Sequence, residues 1–172
     1  LASATPLAVA DQLGSADYVT LLLGNHGGVL GETCAITLLI GGIYLIWTKV
    51  ISPTIPVTYL ATVAVFSLLC GYDPIYQLLS GGLILGAFFM ATDYVTSPIA
   101  KPGRWIMGIG CALILFVVRF YNAGYPEGCS FGILFMNVLT PLIDKLTMRK
   151  PFGYVRPAKE VKATQGKEGA KA

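Results

Sequence analysis

Long apolar stretches separated by short groups of charged residues dominate residues 31–147. A helix that crosses a bilayer needs about 20 mostly apolar residues, and the intervals between charges provide five candidates. They cover about residues 33–48, 50–72, 73–93, 104–121 and 129–143. The pattern therefore predicts an all-α, polytopic membrane protein with five transmembrane helices.

Prolines and glycines mark irregular places in the second and third spans. Pro53 and Pro56 suit a lead-in or a first turn better than the interior of a helix. Gly82 and Gly86 have the G-x-x-x-G spacing that lets a neighbouring helix approach closely. We therefore expect the second span to begin near its prolines and the third to pack tightly against another helix.

Polar residues define the ends of the fourth and fifth spans. The guanidinium groups of Arg104 and Arg119 are expected to snorkel outward and so lengthen the fourth span. Asn137 and Pro141 are expected to interrupt the fifth, whose outer end we place near Tyr125.

Composition supports a membrane location. Of the 172 residues, 55% are hydrophobic and only 12% are charged, whereas a soluble domain has roughly 25% charged residues. The net charge of +3 is not the signature of a nucleic-acid-binding surface, because eight of the twelve Lys and Arg residues lie at or after Lys145, in a tail. No nucleic-acid partner is therefore expected.

The placement of charge predicts the orientation. Basic residues follow the first, third and fifth spans: Lys49, Lys101, Arg104, Lys145, Arg149 and Lys150. The opposite side has the acidic residues Asp11, Asp17, Glu32, Asp73 and Glu127, with Arg119 as the basic exception. The positive-inside rule then places the tail in the cytoplasm.

Three regions follow from this topology. Residues 1–30 form an extracytoplasmic segment, residues 31–147 the five-helix domain, and residues 148–172 a basic, disordered cytoplasmic tail. Because Leu1 is neither Met nor the start of a signal peptide, we expect further sequence upstream.

Cysteine and histidine usage points away from metal chemistry. Cys34, Cys70, Cys111 and Cys129 form no C-x-x-C pair and are expected to be small buried hydrophobic residues. His26 is the single histidine, which excludes a bis-histidine haem site within this chain. No spacing typical of a metal site, a nucleophile with its base, or a P-loop is present.

Two places carry candidate chemistry. Thr5-Pro6 has the form of a helix start, so Thr5 is expected to cap a short helix. Asp93 ends the third span, where it is either an interfacial carboxylate bonded to Thr96 or Ser97, or part of a cation or proton path with Thr92 and Thr96.

Glycines and aromatic residues add weaker candidates. The glycines around His26 and Glu32 would let backbone approach a ligand, or another helix, closely. Phe88 and Phe89 either flank the aromatic ring of a bound ligand or face lipid and neighbouring helices. Arg119 is either a helix-end anchor or a partner for a phosphate at the outer face.

Three strings resemble a known family: LASATPLA at 1–8, GNHGGVLGET at 24–33 and GGLILGAFFMATDYVTSP at 81–98. The family contains the RnfD subunit of the Rnf electron-transport complex and its relative in the sodium-pumping NADH:quinone reductase. Its attachment motif for covalent flavin is commonly Ser-Gly-Ala-Thr, where this chain has Ala2-Ser3-Ala4-Thr5.

The resemblance implies FMN bound through its phosphate to Thr5 by a flavin transferase, and it allows a second, non-covalent flavin. It implies the C-terminal half of a ten-helix subunit built from two five-helix repeats, located in a bacterial inner membrane with other Rnf subunits. The subunit would relay electrons between ferredoxin and NAD, coupled to Na⁺ or H⁺ translocation. A helix N-terminus at Thr5 would also favour the phosphate electrostatically.

Two other functions compete with this one. A transporter or channel half without a cofactor would also have glycine-lined packing and an intramembrane acid such as Asp93. A structural subunit that scaffolds its partners would bind no flavin.

Overall fold

The computed structural model describes residues 18–24, 31, 34–80, 82–121 and 128–148. All regular secondary structure in these ranges is helical, as predicted. The helices are α1 (Tyr18–Leu23), α2 (Ala35–Trp47), α3 (Thr54–Leu69), α4 (Pro74–Leu79), α5 (Leu83–Leu85), a π-helical segment (Gly86–Met90), α6 (Lys101–Tyr121) and α7 (Cys129–Thr147). Thr5, His26, Glu32 and the tail from residue 149 onward lie outside the described residues.

Helices α2 and α3 lie where the charge pattern placed the first two spans. Helix α3 begins directly after Pro53, and Pro56 lies in its first turn, as predicted. Among the described helices, α6 and α7 are long and apolar enough to cross a membrane, and α2 and α3 are shorter apolar helices.

Glycines let α3 and α7 pack closely against α6. A Cβ on Gly108 would lie 2.1 Å from Oγ1 of Thr58 in α3, and one on Gly132 would lie 2.9 Å from the carbonyl oxygen of Cys111 in α6. A Cβ on Gly110 would lie 2.5 Å from Met136. Small residues therefore set the separation of these three helices.

The third span is a broken helix. Helix α4 ends at Ser80, whose backbone is extended with ψ 150°, and the chain restarts at Gly82 in the left-handed region, with φ 63°. Gly86 packs against another helix as its spacing predicted, since a Cβ there would lie 2.2 Å from Sγ of Cys129 in α7. Gly82 instead supplies a backbone conformation that other residues rarely adopt.

Two predictions about the fourth and fifth spans are wrong. Arg119 does not snorkel outward, because its side chain is only 2% exposed and is held by groups in the third span. Helix α7 is not interrupted at Asn137 and Pro141 but runs unbroken to Thr147. Membrane helices tolerate an internal proline because neighbouring groups satisfy the freed backbone.

The outward surfaces are apolar, and the cysteines are only partly buried. Among the exposed large side chains are Ile40, Ile43, Leu68, Leu69, Leu134 and Val138. Such a surface is typical of contact with lipid. Cys111 and Cys129 are buried as predicted, whereas Cys70, at the end of α3, is exposed; all four cysteines are free.

Candidate functional site

A mostly apolar groove with several polar side chains lies between α7 and the chain that runs from the π-helical segment to Thr96. Its volume is about 470 Å³. Its polar lining residues are Asp93 and Thr96, which follow the π-helical segment, and Ser130 and Asn137 of α7; its apolar lining residues are Phe89, Met90, Ile133 and Leu134. The groove thus brings two of the residues predicted for an ion path together with two that were not.

Asp93 and Thr96 interact directly within this groove. The Thr96 hydroxyl donates to Oδ2 of Asp93 at 3.2 Å, and the Ser97 hydroxyl donates to the Asp93 carbonyl oxygen. The Thr96 bond is one of the two carboxylate contacts expected for Asp93 from the sequence, whereas Ser97 bonds the backbone instead. The two bonds hold the carboxylate in place while it lines the groove.

Asn137 was taken from the sequence only as an interruption of the fifth span. Its Oδ1 is buried and has no hydrogen-bond partner within the described part of the chain. A buried amide oxygen without a partner is costly, by about 1–3 kcal/mol. The sequence signal for Asn137 was a polar residue in the middle of an apolar span. No sequence pattern indicates that it shares a groove with Asp93.

Thr92 lies apart from the other two predicted ion-path residues. Its hydroxyl donates to the carbonyl oxygen of Phe88 at 2.6 Å. It lines a different, smaller pocket near Tyr94 and Arg104. The structure therefore groups Asp93 with Thr96 and Asn137, and places Thr92 elsewhere.

The wall of the groove is the π-helical segment. The amide of Ala91 donates to the carbonyl oxygen of Gly86 at 2.8 Å, five residues earlier. π-Helical turns occur frequently at functional sites. Phe88 is buried against Gly42 of α2, because a Cβ added to Gly42 would lie 2.5 Å from the Phe88 ring. Phe89 lines the groove.

A second polar cluster lies at the break in the third span; we call Arg119, Tyr76, Gln77 and Ser80 the Arg119 cluster. The Arg119 guanidinium donates to the Gln77 carbonyl oxygen at 2.9 Å, to Gln77 Oε1 at 2.8 Å and to the Ser80 carbonyl oxygen at 3.2 Å. These bonds satisfy carbonyl groups that the broken helix leaves unpaired. Sequence reasoning missed the cluster because Arg119 is 39 or 42 residues from the groups that it bonds.

Helix α1 is attached to α4 near this cluster. The Tyr18 hydroxyl donates to the Asp73 carboxylate, and that contact raises the pKa of Tyr18 above its usual value. Asp73 also caps α4, accepting from the amide of Ile75 at 3.0 Å. Leu21 packs against Tyr76, and both are fully buried.

The groove and the cluster have different chemistry. The groove offers a carboxylate, hydroxyls and an amide carbonyl, which are all hard oxygen donors. Such donors suit a hard cation that prefers oxygen ligands to nitrogen or sulfur. The Arg119 cluster instead holds a guanidinium against backbone carbonyls, an arrangement that fixes a broken helix. Thr5, predicted to bind FMN, lies outside the described residues, and its attachment stays a prediction.

A family model and several curated proteins that resemble this chain point to the same family. The model of the NQR2, RnfD, RnfE family matches residues 1–153. The chain is 51% identical over 166 residues to the D-type subunit of the Na(+)-translocating ferredoxin:NAD(+) oxidoreductase complex of Acetobacterium woodii, covering 94% of this chain and 52% of that protein.

Two further relatives are less similar. The D-type subunit of the proton-translocating ferredoxin:NAD(+) oxidoreductase complex of Clostridium ljungdahlii is 42% identical over 79% of this chain and 43% of its own length. The D-type subunit of the ion-translocating oxidoreductase complex of Stutzerimonas stutzeri is 43% identical over 76% and 39%. The chain spans about half or less of the length of these curated relatives. It belongs to the NQR2, RnfD, RnfE family.

Proposed function

We propose that this chain is the C-terminal half of the RnfD membrane subunit of an Rnf-type complex. The complex would carry electrons between ferredoxin and NAD, coupled to translocation of Na⁺ or H⁺. The observation that carries this proposal is 51% identity, over 94% of the chain, to the D-type subunit of such a complex. Its partners would be the other subunits of that complex and the lipid bilayer.

The proposal includes five spans in one of two repeats. Helices α2, α3, α6 and α7 supply four of them, and the broken stretch from α4 to Met90 supplies the third. The apolar, outward-facing side chains support contact of all five with lipid or with neighbouring subunits. Positive-inside reasoning places Thr5 outside and the tail in the cytoplasm of a bacterial inner membrane.

The proposal also includes covalent FMN at Thr5, attached by a flavin transferase. A Thr-Pro helix start supports it, because free backbone N–H groups there favour a phosphate. The Thr5 hydroxyl would hold the phosphate and so keep the flavin at the outer face. Bound flavin would supply the one-electron chemistry; a second, non-covalent flavin remains part of the proposal.

Fluorescence on a denaturing gel tests the attachment. We expect a flavin-fluorescent band for the wild-type chain, its loss in Thr5→Val, and its retention in the neighbouring control Ser3→Ala. A wild-type band without fluorescence, or fluorescence that persists in Thr5→Val, would contradict attachment at Thr5.

The groove supports a cation or proton path in the same subunit. The path predicted from Asp93, Thr92 and Thr96 gains Asn137, which lines the groove and whose buried Oδ1 has no partner among the described residues. Asp93, Thr96 and Asn137 would offer oxygen atoms to the ion, while Thr92 would support the helix that presents them.

A transporter half without a cofactor is the alternative. The break in the third span favours it, since discontinuous helices form the substrate sites of many transporters. It predicts no covalent flavin on the gel, together with ion or solute flux that needs no ferredoxin or NAD.

A further inference from the structure

Three buried polar atoms at the break in the third span have no hydrogen-bond partner among the residues that the structure describes. They are the Tyr76 hydroxyl, Nε2 of Gln77 and the Ser80 hydroxyl. Tyr76 and Gln77 are 0% exposed and Ser80 1%. The two hydroxyls are near neighbours but do not meet in hydrogen-bond geometry.

Buried hydroxyls in the continuous helices are satisfied differently. The Ser67 hydroxyl donates to the Val63 carbonyl oxygen at 2.9 Å, one turn earlier in α3, and Thr140 bonds Met136 in α7 in the same way. Ser80 has extended backbone and lies outside such a turn. The unpaired groups are therefore concentrated where the helix is broken.

Arg119 holds this break from outside the third span. Its guanidinium bonds the carbonyl oxygens of Gln77 and Ser80, on the last turn of α4 and at its C-cap. It also bonds Oε1 of Gln77, which leaves Nε2 of the same amide without a partner among the described residues. The three bonds come from a rigid fork of donors, so they fix both the position and the rotation of the end of α4.

The break separates α4 from the segment that lines the groove. Before it, α4 is bound to α1 through Tyr18 with Asp73 and through Leu21 with Tyr76. After it, the chain passes from Gly82 through α5 into the π-helical segment that lines the groove. The break therefore connects α4, which is attached to α1 and also packs against α3, to the segment that lines the groove.

We propose that Ser80 and Gly82 form a hinge in the third span, and that Arg119 is the positioning residue that latches it. In a second position of α4, the groups of Tyr76, Gln77 and Ser80 that are now unpaired would form hydrogen bonds. The hinge would couple the outer segment to the Asp93 groove. That coupling role, and with it the turnover test of the hinge, rests on the proposed function, whereas the latch does not.

Hydrogen exchange in the assembled complex tests the latch. Arg119→Lys keeps the charge but loses the fork of donors, and Gln77→Met removes the Oε1 acceptor. We expect each to speed exchange of the amide hydrogens of residues 78–80 by about tenfold or more, with exchange in the middle of α6 unchanged. Arg104→Lys is the matched control, because Nε of Arg104 also donates to a backbone carbonyl oxygen, that of Pro98, at 3.1 Å.

Unchanged exchange at residues 78–80 in both variants would overturn the latch, and so would an equal rise throughout α6. Neither result depends on flavin or on activity. The experiment therefore decides the latch even if the proposed function fails.

Ser80→Ala tests the hinge. If the unpaired hydroxyl were only a defect of packing, its removal would raise the melting temperature of the complex and leave turnover unchanged. The hinge predicts the same rise in melting temperature with ion-coupled turnover several-fold slower, and Tyr76→Phe should behave alike. Ser67→Ala, which removes a satisfied hydroxyl, should leave turnover unchanged; wild-type turnover in both Ser80→Ala and Tyr76→Phe would overturn the hinge.

Discussion

Gly86 and Cys129 touch so closely that a Cβ on Gly86 would lie 2.2 Å from the Cys129 sulfur. That sulfur also accepts a hydrogen bond from the Tyr59 hydroxyl at 3.3 Å. The contact fixes the start of the π-helical segment against the first turn of α7. The position of the groove wall therefore depends on a residue with no side chain.

Gly86→Ala is expected to destabilise the protein by about 1–3 kcal/mol, because the added methyl group overpacks a tight contact. Thermal or denaturant unfolding of the purified subunit measures the change. Cys129→Ala in the same chain should restore part of the loss by making room. Gly41→Ala is the control, since its Cβ would meet only the end of the Phe89 ring, at 3.2 Å.

Asp93→Asn is expected to weaken ion coupling, because it removes the carboxylate of the groove while keeping its size. The measurement is sodium or proton uptake into sealed vesicles during turnover. The apparent affinity for the ion should fall at least tenfold. Thr96→Val should show a smaller loss, and Thr92→Val should show none in affinity, since the Thr92 hydroxyl bonds Phe88 and lies outside the groove. Equal losses for the two threonine variants would contradict the grouping seen in the structure.

Asn137→Leu is expected to have opposite effects on stability and on coupling. It replaces an amide whose buried Oδ1 has no described partner with an apolar side chain of the same branched shape, which should stabilise the subunit by about 1 kcal/mol. The same change removes an oxygen from the groove and should lower apparent ion affinity. A stabilised variant with unchanged affinity would exclude Asn137 from the path.

The contact between Tyr18 and Asp73 is expected to hold α1 at neutral pH and to be lost in strong alkali. Since hydrogen bonding to Asp73 raises the pKa of Tyr18, the contact is fully present below the usual tyrosine pKa of about 10. It is lost as pH rises through the raised value in the folded protein. Protection of the α1 amides, taken relative to the intrinsic exchange rate at each pH, should be high at pH 8 and lower above that value, and Tyr18→Phe should remove this difference in protection.

Charge spacing and proline positions were sufficient to predict where most helices lie. Helix α3 begins directly after Pro53, and Lys101 starts α6, because charges and prolines act on the local chain. The break at Ser80 was not predicted, because the glycines that follow it were interpreted as a helix-packing motif, and glycines in membrane spans commonly have that role. Its stability depends on Arg119, and no local pattern reveals a contact between residues 39 or 42 positions apart.

The candidate site was predicted in part for the same reason. Asp93 and Thr96 are three residues apart and meet through local geometry. Asn137 reaches them only because α7 packs against the π-helical segment. Thr92 lines a different pocket, and its part in an ion path stays a prediction.

Hydroxyl groups within the helices have a consequence for membrane insertion. Those of Thr58, Thr62, Ser67, Thr92, Thr140 and Thr147 each bond a carbonyl oxygen four residues earlier. Their polarity is therefore satisfied before any two helices meet, and such helices can enter the bilayer singly. The carbonyl groups at the break near Ser80 have their partner in α6, which is synthesised later. In the proposed five-span arrangement, the third span would therefore reach its final form only once the fourth had entered the membrane.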